Sequence, residues 1–199
     1  MLGAPAVRAA FFDIDGTLVS FRMHGVAASA REALRRLRQA GVWLFIATGR
    51  SSHGVPQVIR SLAEEIPFDG YLTFNGQYCY TADGTVYRDV PLDVRDVHAI
   101  AEKADAGLFD LQVMQLSRTF VNRRSERVSR AKANVAEITP VLDLSHIDDG
   151  GNDVHMFGCV GVSVAMGNAS DAVKAAATHV APDIDEDGLY VACKDLGLI

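Results

Sequence analysis

Three short, largely apolar runs separated by two amphipathic segments constrain the fold of this chain most strongly. The runs lie at 9–12, 42–47 and 71–74, and the segments between them lie at 29–41 and 55–65. Strands that are buried on both faces of a parallel sheet are continuously apolar, whereas the helices that cover such a sheet carry one apolar stripe. The alternation therefore predicts an α/β protein with a doubly wound parallel sheet.

The first amphipathic segment carries signals for both ends of a helix. Ser29, followed three residues later by Glu32, has the capping-box pattern of a helix start. Gly41 supplies the residue that commonly ends a helix. We therefore expect a helix that begins at Ser29 and stops before Gly41.

The pattern changes after the third apolar run. Asp83-Gly84 lies between two runs with strand propensity and predicts a β-hairpin. Beyond Pro91 the sequence fits a helix to about 106, an alternating strand at 111–121 and an arginine-rich helix at 125–137. These elements predict a smaller α+β unit inserted into the main sheet.

Core-like sequence returns near Asp149, with a predicted strand at 160–165 and predicted helices at 170–177 and 185–193. The resulting domain boundaries are expectations of the sequence. They give a core domain formed by residues 1–88 and 147–199, and a smaller inserted domain formed by residues 89–146.

Two carboxylates follow the first apolar run directly. Asp13 and Asp15 stand at i and i+2, and Gly16 allows the backbone to turn behind them. Open α/β sheets bind their ligands at the carboxyl ends of the strands, so this pair lies where chemistry is expected. The same string is also compatible with a strand that ends in an ordinary Asx turn.

That pair belongs to the first of four segments that form one pattern along the chain. In chain order the segments are DIDGTL at 13–18, IATGR at 46–50, TFNG at 73–76, and DGGND at 149–153 with AMGNA at 165–169 behind it. In this order they resemble the motifs of the haloacid dehalogenase-like (HAD) phosphohydrolases, and within them the Cof-type sugar-phosphate phosphatases. The resemblance covers both ends of the chain well and its middle poorly, and it implies a Rossmann-like HAD core with a reduced cap.

The resemblance assigns roles to the acidic residues. Asp13 is the expected nucleophile, which forms an aspartyl-phosphate, and Asp15 is the expected general acid and base. The expected ligands of Mg²⁺, which favours an all-oxygen shell, are Asp13, the backbone carbonyl of Asp15 and Asp149. Asp153 is expected either to complete this shell or to hold a metal-bound water. The 149–153 segment taken alone is also compatible with a calcium-like acidic loop or a plain turn.

The same resemblance predicts the phosphate-binding residues. The Thr48 hydroxyl and the Gly49 amide are expected to face phosphate oxygens at the opening of the next helix, with Arg50 beside them. Asn75 and Gly76 match the substrate-side loop, although Asn-Gly is also a common turn. Two asparagines complete the set: Asn152 is expected on the phosphate, and Asn168 is expected to shape the backbone near the site.

One part of the family pattern is missing. Cof-type relatives carry, between the cap and the acidic loop, a strand and helix that begin with a phosphate-binding lysine. Here eight residues separate Pro140 from Asp149, whereas a crossover alone needs roughly ten or more residues. Lys132 is the nearest lysine in the sequence, but it lacks the matching context.

Composition excludes several partners. The net charge is −6, and the arginines do not form a basic patch, so nucleic acid is not expected. Three scattered cysteines form neither a disulfide framework nor a zinc motif, and no run of eighteen apolar residues is present. We expect a soluble cytoplasmic protein that acts on a small-molecule phosphate without nucleic acid or membrane partners; a homodimer remains open.

These observations predict a Mg²⁺-dependent phosphomonoester hydrolase of small soluble phosphates, with sugar phosphates as the expected class. Two alternatives remain: a catalytically impaired or inactive HAD remnant that binds Mg²⁺ or phosphate, and a phosphotransferase or phosphomutase. The missing lysine segment favours the remnant, whereas the retained motifs favour the enzyme.

Overall fold

The computed structural model describes residues 7–123, 125, 126 and 160–199. Strands and helices alternate in its first half, as the apolar runs predict. In chain order the elements are β1 Ala9–Phe12, α1 Ala28–Gln39, β2 Trp43–Ala47, α2 Gln57–Glu65, β3 Gly70–Thr73, β4 Tyr78–Thr81, β5 Val86–Asp89, α3 Val94–Asp105, β6 Gln112–Met114, β7 Thr119–Val121, β8 Val164–Ala165, α4 Asp171–Ala176, β9 His179–Val180 and α5 Gly188–Asp195.

Among the described residues, the main sheet consists of five strands in the order β1-β2-β3-β4-β5. β1, β2 and β3 are parallel, and the predicted hairpin β4-β5 extends them with antiparallel strands. In the register of the sheet, Phe12 lies beside Ile46, and Ala47 lies beside Leu72. The segments that follow β1, β2 and β3 therefore leave the sheet at the same edge, which is where the motif residues gather.

The core lies between one face of this sheet and the helices α1, α2 and α5. Its fully buried side chains come from both the strands and the helices, as a single apolar stripe on each helix requires. They include Leu44 and Ile46 of the sheet, Leu34 and Leu37 of α1, and Ile59 and Leu62 of α2. This packing fixes the strand ends from which the site is built.

The capping-box prediction is wrong in detail. α1 begins after Ala27, which makes no side-chain cap, and Ser29 already lies in the first turn of the helix. Glu32 does not reach back to the helix start. Its carboxylate instead accepts a hydrogen bond from Nε of Arg36, one turn further along, at 2.8 Å.

The predicted strand at 111–121 is a hairpin of two short strands, β6 and β7. The turn closes where the amide of Gln115 donates to the carbonyl of Arg118. This four-residue turn contains neither glycine nor proline, so the local sequence gave no signal for it. No helix in the described part of the chain is long and apolar enough to cross a membrane.

Several predictions fall outside the described residues. They are the body of the arginine-rich helix and the acidic loop, together with the single residues Lys132, Asp149, Asn152 and Asp153. The boundaries between core and cap also stay a prediction.

Candidate active site

The predicted catalytic pair lies on a tight turn at the end of β1, formed by residues 13–19. The side chains of Ile14 and Leu18 are buried in the hydrophobic core and anchor this turn to it. The carbonyl of Ile14 accepts hydrogen bonds from the amides of Leu18 and Val19. Gly16 has a φ of +82° and donates its amide to the Val19 carbonyl. A side chain at that φ would be strained, so glycine allows the turn to close. We call residues 13–19 the catalytic turn.

Asp13 carries a carboxyl group that is unusually easy to protonate. Part of the residue is exposed, but loss of solvation around its carboxyl raises the pKa from the ordinary 3.8 to about 6. The neighbouring charge of Asp15 acts in the same direction, whereas the amides of Ile14 and Asp15 and the charge of Arg50 lower the pKa. At neutral pH Asp13 is therefore an ionised carboxylate whose charge is poorly compensated.

Asp15 is in a different environment because Arg50 holds it with two parallel hydrogen bonds. Nε of Arg50 lies 2.7 Å from one carboxylate oxygen of Asp15, and an Nη lies 2.8 Å from the other. The second Nη donates to the carbonyl of Gly54 at 3.1 Å, which fixes the guanidinium plane. A bidentate guanidinium contact of this kind is strong and sets orientation. Sequence reasoning placed Arg50 with the phosphate-binding set and missed this pair, whose members are 35 positions apart.

Thr48 and Gly49 lie beside this ion pair, at the end of β2. The Thr48 side chain is buried, and its hydroxyl oxygen accepts a hydrogen bond from the Arg50 amide at 3.2 Å. The prediction that they open the next helix is wrong: α2 begins only at Gln57, after Pro56. The ring of Pro56 disfavours the α conformation at the preceding residue, so the helix begins after the proline and the chain runs as a loop through 49–56. Their contact with phosphate stays a prediction.

Asn75 and Gly76 lie at the end of β3 and face the same region. The Asn75 amide donates to the carbonyl of Thr48. A Cβ built on Gly49 would lie 2.8 Å from Oδ1 of Asn75, so this loop closes tightly over Gly49. Both residues have positive φ, 54° for Asn75 and 90° for Gly76. The ends of β2 and β3 thus form one packed surface beside the catalytic turn.

Asn168 reaches the catalytic turn from the C-terminal part of the chain. Its Nδ2 donates to the carbonyl of Gly16 at 2.9 Å, and its Oδ1 accepts from the amide of Ile184 at 3.1 Å. Asn168 therefore shapes backbone near the site, as predicted. A second contact from the same region, between Ser20 and Asp185, was missed because no sequence motif marks it.

The described residues supply part of the expected metal shell. Within residues 7–123, 125, 126 and 160–199, no group of three or more acidic, histidine or cysteine side chains is arranged to hold a metal ion. Asp149 and Asp153 lie outside those ranges. Asp13 and the main chain of Asp15 fit a hard divalent cation, because they offer oxygen donors and the negative charge of Asp13 is only partly compensated by its neighbours. The metal role of all four residues stays a prediction.

Comparison with known proteins identifies the fold and the chemistry. The family model of the haloacid dehalogenase-like hydrolases matches residues 10–148 and 141–192. The chain belongs to this family. A solved structure of the HAD subclass IIB sugar phosphatase BT4131 has a TM-score of 0.86 and 26% sequence identity, covering 97% of this chain and 100% of that chain. The predictions of a HAD-like α/β fold and of a hydrolase acting on phosphate esters are thereby confirmed.

Two curated relatives from Bacillus subtilis strain 168 extend the similarity along the sequence. The proposed phosphatase YkrA is 24% identical over 257 aligned residues, covering 95% of this chain and 97% of YkrA. The 5-amino-6-(5-phospho-D-ribitylamino)uracil phosphatase YcsE is 24% identical over 236 aligned residues, covering 92% of each chain. Both alignments run nearly end to end.

The alignments also show that this HAD chain is shorter than its relatives internally. Coverage of 95% of 199 residues is about 189 residues, so roughly 68 of the 257 positions aligned to YkrA have no counterpart in this chain. The two segments matched by the family model meet within 141–148. This is the interval before the acidic loop in which the sequence lacks room for a strand and crossover helix.

Proposed function

We propose that this chain is a Mg²⁺-dependent phosphomonoester hydrolase that acts on small phosphates through a covalent phosphoryl group on Asp13. The observation that carries the proposal is the contrast between the two carboxylates of the catalytic turn. Asp15 is paired with Arg50, whereas Asp13 is partly exposed and has a raised pKa. Two neighbouring acids in unlike environments are typical of a site in which each has its own role.

In the proposed reaction the ionised carboxylate of Asp13 attacks phosphorus as the bond to the leaving oxygen breaks. Asp15 donates a proton to the leaving alkoxide and later removes one from the water that hydrolyses the aspartyl-phosphate. The bidentate contact with Arg50 fixes the orientation of the Asp15 carboxyl group, on which both proton transfers depend.

Positive charge is required because a carboxylate nucleophile and a phosphate dianion repel each other. We assign Asp13, the carbonyl of Asp15, Asp149 and Asp153 to Mg²⁺, which would supply that charge when bound. Phosphate oxygens would be held by the neighbouring polar groups of the loops that follow β2 and β3 and of the acidic loop. These are Thr48, Gly49, Arg50, Asn75, Gly76 and Asn152.

The substrate class is proposed from the relatives. BT4131 is a sugar phosphatase, and YcsE acts on a phosphate ester carried by a ribityl chain. A phosphate ester on a sugar or on a sugar-derived chain is common to both names. We therefore propose sugar and polyol phosphates as substrates, and the predicted reduced cap at 89–146 as the segment that selects among them.

Free buried thiols at Cys79 and Cys193 suit the proposed location in the cytoplasm.

The shortened middle of the chain favours one second candidate, a HAD fold that binds Mg²⁺ or phosphate without turnover. The family's phosphate-binding lysine belongs to the unit for which the sequence leaves no room. Its loss removes a charge-assisted contact of roughly 1.5–3 kcal/mol. Arg50 carries a compensating charge near Asp13 and Asp15, but it is already paired with Asp15.

Phosphate release from a panel of sugar and polyol phosphates and an aryl phosphate distinguishes the two. Release by the wild-type chain should require Mg²⁺, stop with EDTA and disappear in Asp13→Asn. Asp69→Asn is a useful comparison, because that carboxylate binds Arg38 and the Leu44 amide within the core domain, away from the catalytic turn. Well-folded protein that binds Mg²⁺ but releases no phosphate from any compound would favour the non-catalytic candidate.

A further inference from the structure

The loop that follows the catalytic turn is fastened to the C-terminal part of the chain by one carboxylate. The hydroxyl of Ser20 donates to Oδ1 of Asp185 at 2.6 Å, and Nε of Arg22 donates to Oδ2 at 2.8 Å. The residues are more than 160 positions apart. Both oxygens of Asp185 are therefore engaged by the same short loop, which we call the Ser20 loop (residues 20–25).

Ser20 is the centre of this loop. Its side chain is 1% exposed, and its hydroxyl oxygen accepts hydrogen bonds from the amides of Arg22 and Met23, each at 3.1 Å. Its own amide donates to the Gly25 carbonyl. A serine hydroxyl has a single proton. Because that proton is donated to Asp185, the lone pairs of the hydroxyl oxygen face the two amides. The carboxylate of Asp185 therefore sets the orientation of the Ser20 hydroxyl and of its hydrogen bonds within the Ser20 loop.

A second fastening lies next to the first on the C-terminal side. Asn168 joins the Gly16 carbonyl to the Ile184 amide, and Ile184 is the immediate neighbour of Asp185. Gly16 of the catalytic turn and Ser20, four residues further along the chain, are thus held by the neighbouring residues Ile184 and Asp185, the first through Asn168 and the second directly. The main chains of Asp15 and Val19 form an isolated β-bridge. Val19 is followed directly by Ser20 in the chain.

The strengths of the two contacts of Asp185 differ. The Arg22 side chain is 72% exposed, so solvent screens its ion pair and the pair contributes little. The Ser20 hydroxyl is buried, and a buried hydroxyl that loses its partner is costly. The hydrogen bonds from Arg22 and Ser20 also lower the pKa of Asp185, so its carboxylate is ionised wherever the enzyme is expected to work.

We propose that Asp185 is a positioning residue for the catalytic turn. It holds the Ser20 loop in place, and through the bridge between Val19 and Asp15 it fixes where the carboxyl of Asp15 lies relative to Asp13. The inference rests on the proposed function for its kinetic consequence. Its structural part is independent of that function. Asp185 contacts neither of the expected catalytic groups, so its effect should fall on the rate of the chemical step more than on substrate binding.

The test compares Asp185→Ala, Asp185→Asn and Arg22→Ala with a matched control, Glu186→Gln. The control removes a negative charge at the adjacent exposed position. Asp185→Ala should lower kcat roughly tenfold to a hundredfold, as expected for the loss of one charge-assisted bond to a buried group, with KM changed less than about threefold. Asp185→Asn keeps an oxygen for Ser20 and should fall between Asp185→Ala and wild type. Arg22→Ala and Glu186→Gln should stay within about twofold of wild type.

Amide hydrogen exchange supplies a readout that needs no activity. The amides of Arg22 and Met23 should exchange about tenfold faster or more in Asp185→Ala, and those of Leu18 and Val19 should also accelerate. The Glu186→Gln variant should match wild type at all four. If Asp185→Ala does not fold, Asp185→Asn carries both measurements, because a side chain of the same shape remains.

The outcomes separate the two proposals. Wild type without phosphatase activity contradicts the proposed function, while faster exchange at Leu18 and Val19 in the Asp185 variants still supports positioning of the turn. Unchanged exchange overturns the positioning role whatever the activity. Faster exchange with unchanged kcat, or a loss confined to KM, also overturns it, because Asp185 would then hold a loop that does not control Asp15.

Discussion

Asn in place of Asp13 should make the protein more stable at pH 8 and change its stability little at pH 4. The native pKa of this carboxyl is about 6, above its ordinary 3.8. The folded state therefore binds the proton more tightly than the unfolded state does. The stabilising contribution is complete below about pH 3.8 and is lost as the pH rises to about 6, so the ionised carboxylate opposes folding at pH 8.

The magnitude follows from the size of the shift. Moving from 3.8 to about 6 corresponds to roughly 3 kcal/mol at 1.36 kcal/mol for each pH unit. Asp13 is partly exposed, and solvent screening reduces this to about 1–2 kcal/mol. Urea unfolding followed by circular dichroism, with EDTA present, should show Asp13→Asn more stable than wild type by that amount at pH 8 and by a few tenths at pH 4.

The Asp83→Asn variant is the control of opposite sign. The pKa of Asp83 is lowered, first by the Thr81 hydroxyl and then by the Thr85 amide. Its contribution to stability is therefore present above the ordinary value and lost as the pH falls, so Asp83→Asn should be less stable than wild type at pH 8. A destabilised Asp13→Asn at pH 8, or an equal change at both pH values, would refute the reasoning about the Asp13 environment.

Three further substitutions test the geometry of the site. Arg50→Lys loses the bidentate contact with its carboxylate and should lower kcat about tenfold to a hundredfold in steady-state phosphate release; an unchanged kcat would separate the pair from catalysis. Gly49→Ala places a Cβ 2.8 Å from Oδ1 of Asn75 and should raise KM severalfold, whereas Gly161→Ala, which meets no atom within 4 Å, should match wild type. Asn168→Asp replaces a donor to a carbonyl by a carboxylate and should lower the free energy of unfolding by about 1–3 kcal/mol in urea; equal stability would contradict the fastening.

The sequence predicted those parts of the fold that depend on local pattern. The strands β1, β2 and β3 are recognisable because they are largely apolar, as the strands of a parallel sheet are, although Phe11 and Trp43 are exposed rather than buried. The hairpin β4-β5 was recognisable from Asp83-Gly84, whose glycine has a φ of +87°. Where local rules compete, prediction was weaker: Glu32 had two partners within reach and pairs with arginine on the next turn rather than with the helix start.

The site was predicted as a set of residues but not as a set of contacts. Motif spacing brought out Asp13 and Asp15, because they are neighbours in the chain. The partner of Asp15 is Arg50, and nothing in either local sequence says that the guanidinium faces the carboxylate rather than a ligand. The contact between Ser20 and Asp185 is further from prediction, since both residues belong to segments that look like ordinary turns. Contacts of this kind depend on the packing of the whole domain.

The position of the internal shortening determines which property of the site it affects. The fastenings of the catalytic turn join residues 16–22 to residues 168–185, and the family-model segments meet at 141–148, between these two regions. The junction of the matched segments therefore lies between the two parts that hold the turn, and both of these parts are present in the chain. Geometry is retained, while the expected loss is of positive charge. A deficit of charge weakens the binding of a phosphate dianion and of its transition state, but leaves the placement of Asp13 and Asp15 intact. Any weakness of this enzyme should therefore appear in its response to Mg²⁺ and phosphate concentration before it appears in the stability of its core.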